Sequence, residues 1–173
     1  MTLNLMNTAI FLNIALAQGL LIASAALPEA IQDPPIIINE TISMAKGAYV
    51  RTGDAQSLKH GDIIAMPMNA PARDYLGEKL GYPKDTMLIK RVAGLSGDVM
   101  CRRGTPVTIN AQAVHAARRD SGGNFLPYWT GCHVLLPNEV SLLGDHPSSF
   151  DSRYFGPVTK AELSGTYKAV MTW

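Results

Sequence analysis

Leu142-Leu143-Gly144-Asp145-His146-Pro147-Ser148-Ser149-Phe150-Asp151-Ser152-Arg153-Tyr154-Phe155-Gly156-Pro157-Val158 carries most of what can be read from this chain. An apolar run, Val140-Ser141-Leu142-Leu143, halts at Gly144-Asp145 and opens into a segment bearing Ser149, Asp151 and Arg153 ahead of Gly156-Pro157. Upstream, Lys90-Arg91-Val92-Ala93-Gly94-Leu95-Ser96-Gly97-Asp98 also ends on Gly-Asp, and it begins at a lysine preceded by the apolar Met87-Leu88-Ile89. Outward from these two stretches, short β-branched runs alternate with turn residues: Ile63 to Met66, Met87 to Ile89, Val107 to Ile109, Val134 to Leu136 and Tyr167 to Val170. Such lengths and intervals predict a mostly β domain. Val107 to Val114 reads as a hairpin turning near Asn110, where positive φ is tolerable. Pro137-Asn138-Glu139 is a second turn, Gly122-Gly123-Asn124 a flexible loop, and Asp74 to Leu80 a short helix with Tyr75, Leu76 and Leu80 on one face.

The 173 residues, 47% of them apolar, suffice for one core. The first 28 residues hold no Lys, Arg, Asp or Glu, and Thr8 to Leu27 is dominated by Ala, Leu and Ile despite Asn13, Gln18, Gly19 and Ser24. As a helix this run would span about 30 Å, the thickness of a bilayer core. We therefore expect residues 1–28 to be one N-terminal transmembrane helix in contact with membrane lipid. Residues 29–35 then form a Pro-rich connector, because Pro34 and Pro35 cannot continue a helix, and residues 36–173 form the folded domain. A cleavable secretory signal is the rival, on Ala23-Ser24-Ala25, but no basic region precedes the apolar run.

A net charge of +1, with no basic stripe, excludes nucleic acid as a natural partner. The four histidines show no ligand spacing and the two cysteines stand far apart, so no metal site is expected. Cys101 and Cys132 either join in a disulfide or remain two buried thiols; the sequence leaves both open.

Ser43 lies in Asn39-Glu40-Thr41-Ile42-Ser43-Met44-Ala45-Lys46-Gly47-Ala48-Tyr49, just beyond the connector. A serine hydroxyl is a poor nucleophile until a neighbour accepts its proton. Lys90 can accept it only when neutral, and at an ordinary pKa about one lysine in 2,500 is neutral at pH 7. The reading therefore requires a dry pocket, for which Met87, Leu88, Ile89 and Val92 are the expected walls.

Taken in order, Ser-Met after an apolar span, Lys-Arg-Val with Gly-Asp beyond it, and Gly-Asp with Ser-x-Asp-Ser-Arg beyond that resemble the boxes of the type I signal peptidase family. Lys59-His60-Gly61-Asp62-Ile63-Ile64 and Gly156-Pro157-Val158 extend the likeness across residues 36–170 or so. Ser43 to Tyr49, Leu126-Pro127-Tyr128-Trp129-Thr130-Gly131-Cys132 and Ser149 to Gly156 are most similar to its conjugative-transfer, TraF-type branch. The resemblance implies a signal-peptidase-like β catalytic domain on the periplasmic side of a bacterial inner membrane, working without cofactor. It implies cleavage of a pilin-like or secreted protein substrate, in some relatives with joining of the pilin's ends. It makes Ser43 the nucleophile and Lys90 the general base. Ser149 is the expected hydrogen-bond partner of the Lys90 amine and Thr41 a second oxyanion donor beside the Ser43 amide. Asp151 and Arg153 are expected either to support the dyad or to form an ion pair that shapes their loop.

Where the family has proline shortly after the serine, this chain has Ala45 and Lys46. That departure is the ground for an alternative, a non-catalytic assembly component of a pilus or secretion apparatus that keeps the peptidase fold. A self-cleaving LexA-type regulator shares the Ser-Lys logic but requires a DNA-binding domain where this chain has an apolar span. His146 next to Asp145 suggests a Ser-His-Asp set, yet neighbours on an extended chain point apart, so His146 is expected to be a surface loop residue.

Overall fold

The computed structural model describes residues 33–173, so the expected anchor of residues 1–28 lies outside the described residues. Among the described residues no helix is long and apolar enough to cross a membrane. The strands are β1 (Ile36–Asn39), β2 (Gly47–Gly53), β3 (Ile63–Pro67), β4 (Met87–Gly94), β5 (Val99–Arg102), β6 (Val107–Ile109), β7 (Gln112–Val114), β8 (Gly131–Val134), β9 (Glu139–Leu143), β10 (Val158–Thr159) and β11 (Gly165–Thr172). Seven form one sheet in the order β1-β2-β11-β3-β4-β9-β10, and the other four a second sheet, β7-β6-β5-β8. All pairings are antiparallel, as expected of a mostly β chain with short connections.

Side chains alternate across β3 and β4, and the two faces of the large sheet bury different clusters. Ile64 and Met66 of β3, with Leu88 and Val92 of β4, join Val140, Leu142, Met100, Val107 and Phe150 in the main core. Ala65 and Ile89 turn the other way, onto Met44, Tyr49 and Tyr167. Arg102 of the small sheet, 1% exposed, lies 4.3 Å from the Tyr128 ring and donates to the Arg153 carbonyl, which ties that sheet to the segment following β9. Cys101 and Cys132 are direct cross-strand neighbours on β5 and β8 and are disulfide-bonded.

The hairpin read at Val107 to Val114 is present, and Asn110 and Ala111 both take positive φ (49° and 66°), the twist a two-residue hairpin turn requires. The short helix is also present in altered form: α1 (Ala70–Ala72), capped by the Asn69 side chain, widens into a π-helical turn, Arg73–Lys79. Leu135 and Leu136 do not extend β8, which ends at Val134. Strand β2 escapes the pattern of short apolar runs because Gly47, Arg51, Thr52 and Gly53 interrupt it, and its neighbours β1 and β11 make it a strand.

Candidate active site

Lys90 sits on β4 between Leu88 and Val92, on the face that builds the main core, directly across from Ile64 of β3. Alternation therefore carries its side chain inward, and it is only 2% exposed. Of the walls expected from the sequence, Leu88 and Val92 share its face, whereas Ile89 points to the opposite cluster and contributes its carbonyl, which accepts from the Lys90 amine at 3.0 Å. The amine pairs with no carboxylate among the described residues. Its pKa is lowered from 10.5 to about 8, chiefly by burial; the charge on Asp151 opposes that shift and the charge on Arg153 adds to it.

Ser43 stands in the turn between β1 and β2. That turn is built by Asn39, the last residue of β1, which is 7% exposed. Its Nδ2 donates to the carbonyls of Thr41 (3.0 Å), Met44 (3.1 Å) and Ala45 (3.0 Å), and its Oδ1 accepts from the Thr41 amide (3.2 Å) and hydroxyl (2.8 Å). Thr41 Oγ1 lies 2.9 Å from Ser43 Oγ. Nothing in a motif match singles out Asn39, although an Asn closing a strand before a turn is the residue type whose side chain bonds the backbone just ahead of it.

Ser43, Lys90, Thr41 and Ser149 line one cleft of about 180 Å³, together with the apolar side chains of Leu76, Leu80, Met87 and Leu88. No hydrogen bond joins Ser43 to Lys90 in this conformation. Ser149 is brought into the cleft but makes no bond to the Lys90 amine; its Oγ, buried, has no partner among the described residues. Gly144 explains how Ser149 fits: continuing the register of β4 with β9 by one residue sets Gly144 beside Lys90, and a Cβ there would fall 2.1 Å from Ser149 Oγ and 2.6 Å from the Ser43 carbonyl.

Asp151 and Arg153 form an ion pair within their own loop. They are 0% and 2% exposed and bonded bidentately, Nε to Oδ1 at 2.8 Å and Nη2 to Oδ2 at 2.6 Å. Asp151 also accepts from the Gly144 amide at 2.8 Å and caps α2 (Ser152–Phe155), while Arg153 donates to the carbonyls of Gly144, His146 and Pro147. Ser152 Oγ accepts from the Leu142 amide at 2.9 Å. The Ser-x-Asp-Ser-Arg segment thus satisfies amides at the end of β9, where β10 no longer pairs with it. His146 Nδ1 accepts from the Ser148 amide, and Asp145 pairs with Arg91 at 2.8 Å, so neither belongs to a Ser-His-Asp set. Among the described residues no three His, Cys, Asp or Glu side chains gather to hold a metal ion.

The family described as signal peptidase, peptidase S26, matches residues 1–173. Two plasmid transfer proteins TraF of Escherichia coli are similar to the chain. One is 27% identical over 147 residues, covering 79% of this chain and 82% of that protein. The other is 30% identical over 133 residues, covering 74% and 71%. Among solved structures, a signal peptidase I from Enterococcus faecalis V583 matches with 24% identity and a TM-score of 0.37, over 64% of this chain and 96% of the other.

Proposed function

Because the chain belongs to the signal peptidase family, peptidase S26, we propose that it is a serine endopeptidase in which Ser43 is the nucleophile and Lys90 the general base. The observation that carries the reading is Lys90 itself: a lysine on a core position, 2% exposed, without a carboxylate partner, opening onto the same cleft as Ser43. A buried ammonium with a single acceptor is costly, so the site favours the neutral amine a general base must be. Rotation about χ1 brings Ser43 Oγ from Thr41 toward the amine. The oxygen then attacks the scissile carbonyl, its proton passes to Lys90, and Lys90 returns that proton to the departing amine, leaving an acyl-enzyme. Ser149, which lines the same cleft, would accept from the Lys90 ammonium through its Oγ. The Ser43 amide donates to the developing oxyanion.

The similarity to plasmid transfer proteins favours a substrate in conjugative transfer, and we take it to be a pilin-like or secreted protein. The disulfide fits an oxidising compartment, in keeping with residues 36–173 as a catalytic domain on the periplasmic face of the inner membrane, tethered by residues 1–28. Water or the substrate's own amine completes the cycle by attacking the acyl-enzyme, the first giving a cut chain and the second a ring.

Co-expression with a pilin-like substrate tests this. Ser43→Ala and Lys90→Met are expected to abolish processing, and intact mass of the parent's product separates the outcomes, since a ring is one water lighter than the cut linear chain. Processing by both variants at the parent's level would sink the reading.

A further inference from the structure

We propose that Asn39 is a positioning residue for Ser43, supplying by hydrogen bonds the stiffness that a proline near Ala45 would supply by its ring. The proposal rests on the peptidase reading above. Asn39 is buried, and all its side-chain bonds end within residues 41–45: two amide hydrogens are shared among three carbonyls, and the oxygen receives the amide and hydroxyl of Thr41. Exchanging its oxygen and nitrogen would set an oxygen against three carbonyl oxygens, so the orientation of the amide is dictated.

That orientation decides where the Ser43 proton points. Asn39 Oδ1 can only accept, so Thr41 gives it its single hydroxyl proton. The 2.9 Å contact between Thr41 and Ser43 then has Ser43 as donor. Asn39 thereby holds both the backbone of the turn and the resting direction of the nucleophile's proton, away from Lys90 until substrate enters. It also supplies the rigidity whose apparent loss favoured a non-catalytic scaffold.

The test uses Asn39→Leu, near in size and without polar atoms, and Asn39→Asp, which keeps the acceptor for Thr41 and loses the donors to the three carbonyls. Acylation by a serine-directed inhibitor is expected to fall about 10- to 100-fold in the first, as displaced reacting groups do, and at least as far in the second, whose carboxylate sets an oxygen against three carbonyl oxygens. KM for substrate is expected to change less than the acylation rate, because Leu76, Met87 and Leu88, outside the turn that Asn39 holds, also line the cleft. Ala45→Pro added to Asn39→Leu is expected to restore part of the acylation rate, which a merely structural role would not predict. Parent-like acylation in both single variants, or no gain from the added proline in a folded double variant, would overturn the proposal. If Asn39→Leu does not fold, Asn39→Asp alone decides. If the parent itself does not acylate, the peptidase reading fails. Hydrogen exchange of the amides of residues 41–46 still tests Asn39 in that case: faster exchange in the variants supports it, and unchanged exchange overturns it.

Discussion

Lys90 holds a core position that leucine or valine would normally fill, and the protein bears that cost for the sake of an amine that titrates near neutrality. Its pKa of about 8 lies below the ordinary 10.5, so between these values the unfolded chain binds more protons than the folded one. Stability therefore rises with pH across that window, and below about pH 8 the full penalty, roughly 3 kcal/mol, is present. Lys90→Met is expected to raise the denaturation midpoint at pH 7 and remove this pH dependence while abolishing acylation. In the parent, acylation is expected to climb through pH 6–8 and level off above the pKa of about 8, measured with a serine-directed inhibitor. The Lys90 motif and Ser43 were legible as residue types. What no single position revealed was which neighbour faces Lys90, because that depends on strand alternation and on register with β3.

At the scale of elements, three segments meet at the site: the turn between β1 and β2, the inward face of β4, and the loop from β9 to α2. They touch at Gly144, whose missing side chain leaves room for Ser149 and for the Ser43 carbonyl. The His146 amide donates to that same carbonyl at 3.3 Å, which ties the two loops together. Gly144→Ala is expected to push the nucleophile turn out of place and reduce acylation at least tenfold, on the order of the loss seen when reacting groups are displaced. Thermal unfolding and acylation measured on one sample check this, and an unaltered acylation rate would contradict it. The Ser149 to Arg153 box was the strongest family marker in the sequence, yet most of its side chains serve β9 and the loop. An Asp-Arg pair two residues apart reads equally well as catalytic or structural until its burial and its other partners are known.

For the molecule as a whole, the small sheet stands away from the cleft and is stapled across β5 and β8 by Cys101 and Cys132. Replacing both cysteines with serine is expected to lower stability by about 2–4 kcal/mol in denaturant titration. The acylation rate should hold, since neither cysteine lines the cleft. The mostly β class, the hairpin at Asn110 and the order of the motifs came from local pattern alone, because alternation, turn preference and short motifs are properties of neighbouring residues. Pairing of the cysteines, burial of Lys90, the bracing of the Ser43 turn by Asn39 and the ion pair under Gly144 did not. Each joins groups whose meeting depends on sheet order, register and loop closure, and those follow from the packing of the whole chain.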